Sequence, residues 1–301
     1  MCFQTIEIGA SGEHDKAGSK NLNLCGSQTE YWRLIDTGSL GGPENMALDE
    51  SLLCSFDQGS KPIIRLYGWQ PAALSLGRFQ KVRDVLDIER CRADGVPIVR
   101  RITGGGVIYH ADELTYSIIC SPGQIPEASS IKDSFRVLTG FLLQFYRNLG
   151  LNAQYAVDGN EAGEKLGERT PFCFAGKESF DILVSGRKIG GNAQRRLKQV
   201  IFQHGSIPLR SRVVDGIVYL HQRPPGLEER VTSLIAEGVV PDVTILKPVL
   251  KDAFSCNLGA LLVESDPTEH EQRLADILLR DKYLNDSWNL DGEICGYSTK
   301  A

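Results

Sequence analysis

Apolar positions along this chain alternate with polar ones in short runs and, in a few longer stretches, recur at helical spacing, which predicts a mixed α+β domain. YWRLID, beginning at Tyr31, reads as a strand. PENMALDESLL (43–53) reads as a helix, with Pro43 in its first turn and Met46, Leu48, Leu52 and Leu53 supplying apolar contacts. PIIRLYGW and AALSLG, divided by a Gln-Pro turn, read as paired strands. A helix is expected through residues 83–93, then a strand PIVRRI, a glycine-rich turn, and two strands VIYH and ELTYSIIC. Between Ile131 and Leu149, Phe135, Leu138, Leu142, Phe145 and Leu149 repeat with the helical period, and Gly150 stops the run.

The polar stretch 158–169 reads as a mobile loop, FDILVSGRKIGGNAQ as two strands about a Ser185-Gly186 turn, and QVIFQHGSIPL as one more strand. Beyond Pro224 only helical segments are expected, near 247–256 and 267–283. The predicted division is therefore a loosely ordered tail (1–28), a catalytic domain (29–224) and a helical C-terminal extension (225–301).

Composition narrows the function classes. The 301 residues are 42% hydrophobic and 24% charged, as in a soluble globular protein. A formal charge of -5 argues against nucleic acid as the main partner, because phosphate neutralisation needs an excess of Lys and Arg. Eight cysteines (2, 25, 54, 91, 120, 173, 256, 295) show no CxxC pairing and suggest reduced thiols in a cytoplasmic protein. No apolar run approaches the roughly 20 residues that span a bilayer. No His, Cys or carboxylate cluster has metal-ligand spacing, so neither a metal nor another cofactor is expected.

Two constellations carry candidate chemistry. In RRITGGGVIYH (100–110), Gly104, Gly105 and Gly106 permit positive φ and let backbone amides approach a bound group, although a plain hairpin turn beside two arginines explains the same residues. In GRKIGGNAQRR (186–196), Lys188 stands between a tight turn and Gly190-Gly191, suited to hold a carbonyl oxygen as negative charge develops on it, or simply to be solvated. Cys173, in a Pro-Phe-Cys-Phe segment, is either an inert buried thiol or a nucleophile, and His110 and His204 read as pocket-shaping residues.

RRITGGGVIYH, ELTYSI, GRKIGGNAQ and HGSI (204–207), with NMALDESLL and LYGWQPAALSLGRFQ upstream, resemble the signature of the biotin and lipoate protein ligase superfamily across residues 31–210. The resemblance implies a lipoate/biotin protein ligase-like α+β fold in which a mixed sheet holds a lipoyl or octanoyl chain in an apolar tunnel. Cys173, fifteen residues before Lys188, is similar to the nucleophile of the cysteine-loop octanoyltransferases. His110, Ala111, Asp112 and Glu113 depart from the His-Asp then Gly-Asn continuation typical of the ligases. The implied catalytic pair is Cys173 and Lys188. The implied substrate-binding set is Arg100, Arg101, Thr103, Gly104, Gly105, Gly106, His110, Gly190, Gly191, Asn192, Ala193, His204 and Gly205.

The activity that follows is transfer of octanoyl from octanoyl-acyl carrier protein, through a cysteine thioester, to a lysine of a lipoyl-carrier domain (glycine cleavage H protein or a dehydrogenase E2). The chain is expected to act as a monomer, without nucleic-acid or membrane partners. An ATP-dependent lipoate ligase, an octanoyl amidotransferase between lipoyl domains and a silent lipoyl-domain binding module are the rival readings.

Overall fold

The structure, a computed structural model, describes residues 30–125, 130–159, 172 and 178–293. The predicted tail (1–28), residues 160–169 of the predicted loop, and Cys173 lie outside the described residues. In chain order the strands are β1 (Glu30–Leu40), β2 (Ile63–Trp69), β3 (Ala73–Leu76), β4 (Ile98–Arg100), β5 (Ile108–His110), β6 (Glu113–Cys120), β7 (Ala153–Tyr155), β8 (Ile182–Val184), β9 (Arg187–Lys188), β10 (Gly191–Arg196), β11 (Ile201–Pro208) and β12 (Ala260–Glu264). The helices are α1 (Gly42–Cys54), α2 (Val82–Val85), α3 (Ile88–Ala93), α4 (Ile131–Asn148), α5 (Val213–Ile217), α6 (Leu227–Arg230), α7 (Val243–Leu258), α8 (Glu269–Leu278) and α9 (Asp286–Asn289).

A six-stranded mixed sheet, in the order β10-β11-β6-β2-β1-β12, forms the centre. Successive side chains leave a strand on opposite faces, and both faces here are covered by helices. Trp32, Leu34, Ile64, Leu66, Tyr116 and Ile118 pack on one side against Leu138, Phe141 and Phe145 of α4 and Leu250 and Phe254 of α7. Ile35, Ile63, Tyr67, Ile119 and Phe202 pack on the other against Met46, Leu52 and Leu53 of α1 and Ala275 and Leu278 of α8. Double coverage buries both faces of ELTYSIIC from Leu114 to Cys120, the polar Thr115 and Ser117 included.

Buried α1 also carries polar groups, all of them partnered. Asp49 accepts from Arg65 at 2.8 Å, Tyr67 at 2.9 Å and Ser117 at 2.8 Å. A second sheet, β4-β3-β5, and a hairpin group, β7-β8-β9, lie beside the first.

Three sequence expectations are corrected. The strands read as paired, β2 and β3, belong to different sheets, because β2 already has β1 on one edge and β6 on the other. The helix expected through 83–93 is divided into α2 and α3. Leu86 between them is extended and bridges Leu220, and Asp87 caps α3 by accepting from the Arg90 amide at 3.0 Å. The stretch beyond Pro224 contains, besides its helices, a strand: β12 pairs in parallel with β1, Glu30 opposite Ala260 through Leu34 opposite Glu264. Among the described residues no helix is long and apolar enough to cross a membrane.

Candidate active site

Lys188 owes its position to a two-residue hairpin. Ser185 and Gly186 both have positive φ (51° and 75°), the requirement of a type I′ turn, so Val184 pairs with Arg187 and Leu183 with Lys188. Asp181, two residues before Leu183, shares the face of Lys188, and its Oδ2 lies 2.7 Å from Nζ with both side chains buried. The Lys188 carbonyl accepts from the Thr232 amide at 2.9 Å, so a segment beyond the main sheet fixes the backbone too. The result is an immobilised ion pair in a cavity wall.

The glycine loop faces this pair. Gly105 has φ +101°, a conformation that L side chains rarely adopt. Arg101 holds the loop by donating to the carbonyls of Gly104 and Gly106, each at 3.0 Å, and anchors itself on the Ser75 carbonyl at 2.8 Å. A trans peptide points its N–H opposite its C=O, so the amides of Gly105 and Val107 are directed away from Arg101. Gly77, which follows β3, is packed so tightly against the Gly104-Gly105 backbone that any Cβ there would overlap the Gly105 carbonyl.

Both histidines are buried in hydrogen-bonded positions. His110 stacks on Trp69 (centroids 3.8 Å apart, 10° between planes), with Nε2 2.6 Å from the Ser75 hydroxyl and Nδ1 2.7 Å from Glu113. His204 Nε2 lies 2.7 Å from the Thr103 hydroxyl. Burial, reinforced by the charges of Arg101 and His110, pushes the His204 pKa well below the ordinary imidazole value. His204 is thus a neutral hydrogen-bonding partner.

These elements enclose a cavity of about 560 Å³ whose wall includes Arg101, Gly104, Gly105, Gly106, His110, Lys188, Gly191, Asn192, Ala193, His204 and Gly205. Three expected substrate-binding residues are not in that wall. Thr103 holds His204 from behind, and Gly190 (φ +81°) lets the chain pass the Ser206 carbonyl. Arg100 needs a correction. Neighbouring residues on an extended chain point to opposite sides, and Arg100 turns away from Arg101 to donate to the chain's own carbonyls: Gly77 (3.3 Å), Arg78 (3.1 Å), Gln80 (2.8 Å), Trp288 (2.9 Å) and Leu290 (2.7 Å).

Asp181, Trp69, Phe79, Ile108 and Glu178 line the cavity without having been singled out from the sequence. Asp181 was within reach, since the Ser185-Gly186 turn fixes a register that puts it on the face of Lys188. Cys173 lies outside the described residues. Phe172 before it is buried and bridges Val107, the residue after Gly106, and Glu178 beyond it lines the cavity.

Residues 42–255 match the model of the lipoyl protein ligase A/B catalytic domain family. Octanoyltransferase LipM of Bacillus subtilis (strain 168) is 34% identical over 276 residues, covering 87% of this chain and 99% of that protein. Octanoyltransferase LipM of Staphylococcus aureus is 36% identical over 271 residues, covering 86% and 98%. A solved structure of lipoate-protein ligase A bound with ATP superposes with a TM-score of 0.73 at 25% identity, covering 88% of this chain and 100% of that one. A T. acidophilum protein solved with bound lipoic acid gives 0.71 at 26% identity, covering 87% and 99%. With an α+β architecture, a glycine loop and a buried lysine lining one cavity, and matches of this extent, the chain belongs to the lipoyl protein ligase A/B catalytic domain family.

Proposed function

We propose that the chain is an octanoyltransferase of lipoate assembly, which takes octanoyl from the thioester of an acyl carrier protein onto Cys173 and passes it to a lysine of a lipoyl-carrier domain. The observation that carries this reading is Lys188, buried in the wall of a cavity that also presents Tyr67, Trp69 and Ile108 to an acyl chain. The near-full-length likeness to proteins named octanoyltransferase supports it.

In the first step the Cys173 thiolate attacks the thioester carbonyl. A tetrahedral oxyanion forms, collapses, and expels the carrier's thiolate, which takes up a proton. In the second step the neutral amine of the acceptor lysine attacks the enzyme thioester, an amide forms, a proton leaves the nitrogen, and the Cys173 thiolate is regenerated. An ordinary thiol, with a pKa of about 8.5, is only a few per cent ionised at neutral pH, so a fixed positive charge nearby favours the reactive form. Lys188 would supply such a charge from its ion pair with Asp181 at the cavity wall, and would also stabilise the oxyanion. A thioester is exchanged for a thioester in the first step, so no ATP is consumed.

The experiment is intact-mass spectrometry of the protein mixed with octanoyl-acyl carrier protein, and separately with octanoate and ATP. The expected result is a mass increase of one octanoyl group from the carrier without ATP, lost in Cys173→Ala. Acceptor modification only with octanoate and ATP would replace the proposal with a ligase, and transfer at the wild-type rate by Cys173→Ala would remove the thioester.

A further inference from the structure

Gly191, Asn192 and Ala193 line the cavity at the start of β10, and Arg195 leaves the strand on the same side as Ala193. Arg195 stands opposite Phe202, whose side chain packs on that same face of the sheet. At about 3.3 Å per residue, Arg195 is some 13 Å along the strand from Gly191. Arg78 approaches from the other side. Its amide donates to the Thr103 carbonyl at 2.7 Å, and the next two residues, Phe79 and Gln80, line the cavity. Its guanidinium lies over the rings of Trp288 (5.7 Å) and Phe79 (5.8 Å), the latter 84% exposed.

The charge around this rim is not balanced. Glu50 is the carboxylate nearby, and it is already held by Lys282 Nζ at 2.7 and 2.8 Å and by the Tyr283 hydroxyl at 2.7 Å. Lys282 itself sits 3.8 Å from the centre of the Trp288 ring. Arg78 and Arg195 are both half-buried, and among the described residues neither guanidinium has a carboxylate or other hydrogen-bond acceptor. Arg78 hangs from Thr103, which bonds His204 opposite Ala193, two residues along β10 from Arg195. Burial and then the charge of Arg78 push the Arg195 pKa down, with Glu50 pulling the other way. Like charges held together half out of water cost stability unless an anion joins them. Two guanidinium forks are shaped to grip a tetrahedral oxyanion.

We propose that Arg78 and Arg195 form a phosphate-binding subsite at the cavity rim, which receives the phosphate of the pantetheine arm that carries the acyl thioester. The inference rests on the acyl-thioester reading above. It places the thioester at the Lys188 and Gly191 end and the phosphate at the Arg195 end. The shared chemistry is phosphopantetheine, whether attached to a carrier protein or part of coenzyme A.

The test compares steady-state octanoyl transfer from octanoyl-acyl carrier protein, octanoyl-coenzyme A and octanoyl-pantetheine, which lacks the phosphate. In Arg78→Gln and Arg195→Gln, KM for the two phosphate-bearing donors should rise about 10-fold or more, the loss of a charge-assisted hydrogen bond. KM for octanoyl-pantetheine and kcat for all three should stay at wild-type values. Arg195→Lys, which keeps the charge, should recover part of the loss and guards against a folding defect in the neutral variants. The donor with the lower wild-type KM identifies the source of the arm, and either identity supports the subsite. An equal effect on the phosphate-free donor, or no effect on any, overturns it while leaving the transferase intact. Absence of transfer from every thioester overturns the underlying reading together with the subsite.

Discussion

In the proposed mechanism Lys188, paired with Asp181, serves both stability and chemistry. Their ion pair is buried, with side-chain exposures of 3% and 8%, so removing one partner strands the other charge away from water. Lys188→Met should destabilise the protein by about 3–5 kcal/mol and slow acyl transfer by roughly 10²-fold or more. Lys188→Met combined with Asp181→Leu should regain most of the stability, because no charge is left buried, and none of the activity. Chemical denaturation and single-turnover acylation of the single and double variants measure the two effects separately. Activity that returned with stability would leave Lys188 a purely structural residue. His204 shows the complementary case, in which burial favours the neutral imidazole while it bonds Thr103 at the cavity wall.

At the scale of elements, the glycine loop between β4 and β5 keeps its shape through β3 as much as through its own glycines. Arg101 fastens the loop to Ser75 of β3, and Gly77 just after β3 is the surface on which Gly104 and Gly105 rest. A methyl group at Gly77 would meet backbone, which cannot swing aside as a flexible side chain does. Gly77→Ala should therefore displace the loop and lower kcat/KM for acyl transfer by more than 10-fold, since small misplacements at a reacting centre are costly. Gly95→Ala, at a positive φ of 66° with open space around it, is the control: its backbone strain should lower stability by about 1 kcal/mol and leave transfer unchanged. Equal losses of activity in the two variants would show that the contact at Gly77 has no special weight.

The whole molecule is tied together across long separations in sequence, and the C-terminal residues supply several of the ties. β12 completes the sheet beside β1, Arg33 pairs with Glu271 of α8 at 2.7 Å, and Arg100 binds the carbonyls of Trp288 and Leu290. Since Arg100 also grips the carbonyls of residues 77, 78 and 80, it couples the C-terminal segment to the cavity rim. Arg100→Ala should leave five carbonyls without this donor, costing about 3 kcal/mol or more, and should raise KM for the acyl donor as the rim loosens. Arg100→Lys should restore little, because an ammonium cannot fan out to five acceptors. Thermal melts and steady-state kinetics check both, and unchanged KM in a destabilised Arg100→Ala would confine the residue to a structural role.

Local chemistry was legible in the sequence. The alternation in ELTYSIIC and QVIFQHGSIPL marked strands, the spacing of Phe135 to Leu149 marked α4, and RRITGGG and GRKIGG marked two walls of the cavity, because periodicity and glycine placement are properties of neighbouring residues. What required the tertiary structure was partnership across distance. Nothing in AALSLG says that β2 has no edge left to pair with it, and nothing in the helical surroundings of ALLVE reveals a waiting edge on β1. The two adjacent arginines look alike in sequence, yet one staples the glycine loop while the other ties the C-terminal segment to the rim, since an extended chain sends successive side chains to opposite sides and only the packed fold decides what each side meets.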